Sequence, residues 1–284
     1  EIPVTNICGA YSSDNSYKAF KGTFNGGGHT LYVNLTNMPK FSAPFKIVED
    51  ATIKNLRTAG SITGKTGDTS TLGQGRVISG LVAISKGTTN IIGCSSSMDI
   101  TSLYGTGSDV TLAGLVASTM GGNLTVEGCA FEGSMTAKKT DANHNCGIVA
   151  YPDSDVTVTV RNTVFAPWKL DTKDDTDHSW TFARKKDNTT TVNISNCYYT
   201  EPLTSVTANI QGKELHTITG DTDVTVAMSG TETDYGASGI KAYKNVSTQL
   251  PGLVYNGTVI AGNGENVGLT LGYTGTLDTG YAIS

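Results

Sequence analysis

The sequence predicts an all-β protein: a right-handed parallel β-helix with an N-terminal cap over residues 1–203, then a small antiparallel, sandwich-like β domain over residues 204–284. Three observations predict it. Glycine is abundant at 34 residues and proline scarce at 7, in a chain crowded with threonine, serine and asparagine, which suits short strands joined by tight turns. Short segments alternate apolar and polar residues, the period-two signature of strands. Those segments recur at a step of about 34 residues, so they repeat as one supersecondary unit.

The repeat shows as three columns. The first ends at Leu56, Cys94, Cys129, Thr163 and Cys197, with steps of 38, 35, 34 and 34 between those positions. The second holds Ser79-Gly80-Leu81-Val82-Ala83, Ala113-Gly114-Leu115-Val116-Ala117 and Cys146-Gly147-Ile148-Val149-Ala150. Degenerate copies of it stand at Ala43-Pro44-Phe45 and Trp180-Thr181-Phe182-Ala183. The third holds Ile62, Ile100, Met135, Lys169 and Leu203, with Lys169 laying its stem over the core and Pro167 and Trp168 marking a distorted corner. Each segment is too short for a stable helix and rich in β-branched residues, which excludes the helical solenoids of similar period. Stacked in register, the units form a coil that climbs one strand spacing, about 4.8 Å, per turn.

Five cysteines at wide spacings with no CxxC pair exclude a dense disulfide scaffold and a zinc cluster. Cys94, Cys129 and Cys197 read as inward-facing free thiols in the first column, with a Cys94–Cys129 disulfide between adjacent coils as the alternative, and Cys146 as a packing residue in the second. Near the N-terminus, Gly26-Gly27-Gly28 lacks the spacing of a phosphate loop and reads as a tight turn feeding an alternating strand.

The phrase Phe24-Asn25-Gly26-Gly27-Gly28-His29-Thr30-Leu31, the Gly-Leu-Val-Ala units and the Asn-Leu or Gly-Cys strand ends together resemble the GLUG-repeat proteins over roughly residues 15 to 200. These are exported bacterial β-helix proteins, among them adhesins. The resemblance implies an extracellular β-helix with a part in adhesion, and it brings no catalytic residue. Gly-Leu units are missing around Pro44 and Trp180, where this chain departs from the pattern.

After Glu201-Pro202 the repeat stops. Alternating runs at Asp223–Met228, Gly239–Tyr243, Leu253–Tyr255 and Val267–Tyr273, with Asn256-Gly257 and Asn263-Gly264 as turns, predict hairpins.

For function, a formal charge of -5 gives no electrostatic case for nucleic acid. The basic clusters Lys138-Lys139 and Arg184-Lys185-Lys186 are flanked by aspartates and read as solvated loops. No apolar run is long enough to cross a bilayer. The chain starts at Glu1, as a mature exported protein or a trimmed chain would, which permits export; a secreted or cell-surface monomer is the expectation. Variable loops at Lys65–Gly75, Tyr104–Asp109, Lys138–Asn145 and Asp171–His178 separate the columns, and repeat proteins use such insertions to bind ligands. The candidate binding loop joins Asp171, Asp174, Asp175, Asp177 and His178 to Trp168 and Trp180, a set suited to gripping a sugar or a calcium ion. The expected role is a surface adhesion or binding module for a glycan or an extracellular host protein. The alternatives are a carbohydrate-active β-helix enzyme, a lyase or glycoside hydrolase using paired carboxylates, and a structural spacer. No HExxH, GxSxG or nucleotide motif is present, and no catalytic residue or resident cofactor is assigned.

Overall fold

The computed structural model describes residues 8–11, 16–66, 75–105, 110–138, 144–172, 178–217, 231–244 and 251–262. Within them the chain winds into a parallel β-helix of four complete turns. Phe45, Val82, Val116, Val149 and Ala183 stand one above another and mark the start of each successive turn. A partial turn precedes them, with Phe20–Asn25 pairing parallel to Phe45–Lys54 and Thr30–Met38 parallel to Arg57–Gly64. The triple glycine makes the expected turn between those first strands, with Gly27 and Gly28 at positive φ.

The columns read from the sequence are the walls of this helix. Leu56, Cys94, Cys129, Thr163 and Cys197 all point inward, and every one is buried. Their cysteines are free thiols, and the Cys94 amide donates to Cys129 Sγ at 3.4 Å. Leu81, Leu115, Ile148 and Phe182 line the same core. Below them Phe131 and Phe165 stack with ring centroids 5.9 Å apart. The glycines of the Gly-Leu-Val-Ala units permit close packing: a Cβ on Gly114 would sit 2.2 Å from the Gly147 carbonyl oxygen, and one on Gly147 would sit 2.0 Å from that of Thr181.

The third column differs from expectation at one place. Met135 pairs in register with Leu170, so Leu170 occupies the core slot and Lys169 pairs with Ser134. One residue inserted at the Pro167-Trp168 corner moves the strand on by one position, and a one-residue slip exchanges the two faces. Lys169 is accordingly solvent-exposed and reaches Asp171 at 3.5 Å.

The helix is closed at its C-terminal end by residues that follow the repeat. The Gln211 side chain accepts from the amides of Phe182 and Ala183 and donates to the Ala183 carbonyl. Asn209 donates to the carbonyl of Ser179. Strand Lys213–Thr217 then pairs parallel to Tyr198–Tyr199 on one side and antiparallel to Thr258–Gly262 on the other. The antiparallel sheet continues through Pro251–Tyr255, Ile240–Lys244 and Thr231–Asp234. Asn256 and Gly257, both at positive φ, form the expected hairpin turn. The expected strands at Asp223–Met228 and Val267–Tyr273, and the Asn263-Gly264 turn, lie outside the described residues.

This sheet folds back across the helix. Tyr235, Ile240, Ala242, Leu253 and Ile260 share one apolar cluster with Ala130, Val164 and Tyr198 on the outer face of the coils. The contact centres on a corner where every turn adopts left-handed backbone: Asn55 (φ 54°), Gly93 (61°), Gly128 (59°), Asn162 (49°) and Asn196 (50°). Asparagine and glycine are the residues that tolerate that conformation. Tyr235 lies over the two glycines of the series. A Cβ on Gly128 would stand 2.0 Å from its ring, and one on Gly93 2.4 Å from its carbonyl oxygen. The flanking asparagines hold the same segment, Asn162 Nδ2 donating to the Tyr235 hydroxyl at 3.0 Å and Asn55 Oδ1 accepting from the Ala237 amide at 3.0 Å. The Tyr235 hydroxyl donates in turn to Glu127, which also pairs with Arg161 at 2.6 Å.

Candidate functional site

A second outer face of the helix is concave. After the inward strands Val77–Ser79 and Thr111–Ala113 the chain bends at the Gly80/Gly114/Gly147 column, and the two limbs of each turn enclose a groove along the stack. Its floor is made of small buried side chains, Ser79, Ala113 and Cys146 on one limb and Ala83, Ala117 and Ala150 on the other. Burial pushes the Cys146 thiol up to about 12, as suits a packing residue. Trp180 follows Cys146 in the floor column and ends it with a large side chain.

The walls are two more columns. On one side stand Ile47, Ile84, Ser118 and Tyr151, in register from turn to turn. On the other stand Val77 and Thr111, then His144 and His178, each two residues ahead of the floor positions Cys146 and Trp180. The rings of His144 and His178 lie 4.4 Å apart, centroid to centroid. Lys40, Phe41, Arg76, Met120 and Asp153 complete the lining of a cavity of about 330 Å³. At one end Phe41 packs edge-on to Tyr11, and Lys40 Nζ lies 4.7 Å over the Phe41 ring. Burial, reinforced by the nearby Arg76 charge, brings Lys40 down to about 8.

At the other end Arg184 is only 6 % exposed. It was expected in a solvated basic loop, and the structure corrects this: stacking of the last turn on Val149 draws it inside. Its guanidinium lies 5.0 Å over the Tyr151 ring, and Nη1 donates to His144 Nδ1 at 3.0 Å. An arginine can only donate, so this bond leaves the His144 proton on Nε2. The neighbouring Lys186 lies 5.1 Å over Tyr151 and pairs with Asp153 at 3.6 Å, so the one carboxylate among the described lining residues is engaged.

The residues expected as a binding loop divide between two places. Trp168 is 66 % exposed on the outside of the helix, where its indole nitrogen donates to Asp99 at 3.2 Å. Asp171 is exposed at the end of strand Lys169–Asp171. His178 and Trp180 belong to the groove. Asp174, Asp175 and Asp177 lie outside the described residues. The four variable loops share their points of attachment: the described residues before each end the third column of a turn, and those after it re-enter the coil at the Val77, Thr111, His144 and His178 wall. Among the described residues no group of three or more His, Cys, Asp or Glu side chains is arranged to hold a metal ion, and no helix is long and apolar enough to cross a membrane.

Tyr151 was not singled out by sequence, and Arg184 was named only as part of a solvated basic cluster. Their spacing carries the signal in retrospect, since Tyr151 falls one turn beyond Ser118 in a wall column. Compared with family models, curated proteins and solved structures, the chain matches none.

Proposed function

We propose that this β-helix is a secreted or cell-surface binding module that takes a glycan or an extracellular protein along its groove. The carrying observation is the coincidence of groove and loop ends: a channel parallel to the stack, walled by repeating columns, one of which holds the residues where the variable loops re-enter the coil. Repeat architectures recognise extended ligands on such a surface. The likeness of Phe24–Leu31 and of the Gly-Leu-Val-Ala units to GLUG-repeat surface proteins supports export and an adhesive role. Glycoside hydrolysis asks for two carboxylates across one bond, and the described lining offers Asp153, already paired with Lys186. Binding of the whole chain to a glycan array, followed by product analysis of each hit, tests the proposal. Retention of an unaltered saccharide is expected. Turnover of a bound saccharide would replace the binding reading with an enzymatic one, and silence on the array together with failure to bind extracellular matrix proteins would leave a spacer.

A further inference from the structure

Among the described residues, no carboxylate pairs with Arg184. A guanidinium stays charged at every physiological pH, and burying it costs free energy unless a counter-charge or a full set of acceptors compensates. In this groove its side-chain hydrogen bond goes to a neutral imidazole nitrogen and its face to an aromatic ring. Neither supplies negative charge beyond the weak attraction of the Tyr151 π-face. Asp153, the carboxylate of the described lining, is paired with Lys186. Elsewhere in this protein the outcome differs: the Arg161 guanidinium, more exposed, is matched by Glu127 at 2.6 Å. His144 and Tyr151 hold Arg184 in one orientation, with one nitrogen bonded and the remaining donors of the fork unmatched among the described residues.

We propose that the Arg184 end of the groove is an oxyanion site, and that it takes the carboxylate or sulfate of an acidic saccharide lying along the groove. This rests on the binding reading above and names the class of ligand. A planar carboxylate meets a guanidinium fork with two parallel hydrogen bonds, and a sulfate presents oxygens to the same donors. The rest of the channel suits a sugar chain: Thr111 and Ser118 offer hydroxyls from facing walls, one turn before the His144 and Tyr151 level. Lys40 provides a second cation at the far end, four turns away along the backbone or about 19 Å at one strand spacing per turn. A linear polymer carrying acidic groups at intervals would meet both.

The test uses the whole chain, calorimetric titration and three ligand pairs. These are an oligouronate against its carboxyl-reduced counterpart, a sulfated oligosaccharide against its desulfated form, and an oligoglutamate peptide as the protein-like polyanion. The acidic member of at least one saccharide pair is expected to bind at least about tenfold more tightly than its neutral partner, the size of one charge-assisted hydrogen bond. Which pair responds identifies the carboxylate or the sulfate. Arg184→Met is expected to abolish that preference, and Arg184→Lys to retain part of it, while Lys185→Met leaves it intact. The comparison of acidic with neutral ligand on the unaltered protein needs no variant, so it stands even where Arg184→Met does not fold. Equal affinity for acidic and neutral saccharides overturns the oxyanion site and leaves the binding module standing. Tighter binding of oligoglutamate than of any saccharide overturns the saccharide, and absence of binding to every ligand overturns both readings.

Discussion

Two outer faces of the same helix treat their polar and charged groups in opposite ways. On the left-handed corner the chain supplies its own cover: Tyr235 lies on Gly93 and Gly128, Asn55 and Asn162 bond the covering segment, and Glu127 receives both Tyr235 and Arg161. In the groove the described residues form walls, and among them no carboxylate pairs with Arg184. Both faces derive from the same repeat. The difference teaches that side-chain type along a column does not separate a structural face from a functional one. What separates them is whether some other part of the chain arrives to satisfy it.

The largest expected effect comes from breaking the covered corner. Gly128→Asn keeps a residue that accepts left-handed backbone, as Asn162 and Asn196 do one and two turns on. It nonetheless collides with Tyr235, and overpacking of this kind costs on the order of 1–3 kcal/mol. Urea denaturation should show that loss, and the Gly128→Asn, Tyr235→Ala double variant should cost no more than Tyr235→Ala alone. An additive double variant would mean that Tyr235 does not rest on this glycine.

Tyr235→Phe is milder. It keeps the ring and removes the hydroxyl that joins Glu127 to Asn162. A loss of about 1–2 kcal/mol is expected for a hydrogen bond to a charged acceptor. Loss of less than about 0.3 kcal/mol would place the value of the contact in the ring alone.

The two faces also respond to pH with opposite sign. Burial, helped by the hydrogen bond to Glu127, lifts Tyr235 to about 12 from its ordinary value of 10.0, so the folded protein holds a proton that the unfolded chain releases. Its contribution to stability is present below pH 10 and lost as pH rises to about 12. Lys40 is lowered from 10.5 to about 8, so there the unfolded chain holds the extra proton, and stability rises with pH across that window. Denaturation midpoints between pH 7 and 12 should climb and then fall. Lys40→Met should flatten the climb, and Tyr235→Phe should make the fall shallower.

The smallest effect is local. Of the five cysteines, Cys8 alone is exposed, whereas Cys94, Cys129, Cys146 and Cys197 are buried. Burial holds Cys146 and Cys197 at about 12. A colourimetric thiol reagent at pH 8 should therefore titrate one thiol in the native protein and five after denaturation. Rapid reaction of a second thiol would show that the groove floor opens.

The columns were legible because stacking in register forces one residue type to recur at each turn, and periodicity is visible without knowledge of the path. Even the sparse copies at Phe45 and Phe182 could be placed on that basis. The exchange of Lys169 for Leu170 was not legible, since one added residue at a corner leaves the spacing almost unchanged while reversing which side chain faces inward. Arg184 was hidden for a different reason. A run of Arg-Lys-Lys reads as solvated, and its burial arises from contacts with Tyr151 and His144 in the preceding turn. The seat of Tyr235 joins residues more than a hundred positions apart, and nothing local in Thr231–Asp234 or Ile240–Lys244 points to Gly128. The loop residues Asp174, Asp175 and Asp177 were grouped with Trp168 and Trp180 by proximity in sequence, yet Trp168 is exposed beside Asp99 while Trp180 ends the groove-floor column.

The segment around Tyr235 also changes how the coils depend on one another. In a bare solenoid each turn touches only its neighbours, so the array frays from its ends turn by turn. Here one short stretch of chain bonds Asn55, Glu127 and Asn162, which belong to three different turns. It acts as a clasp laid along the stack. Tension drawn through the two termini would be shared across the clasped turns until it released, and those turns would then part together as one mechanical unit.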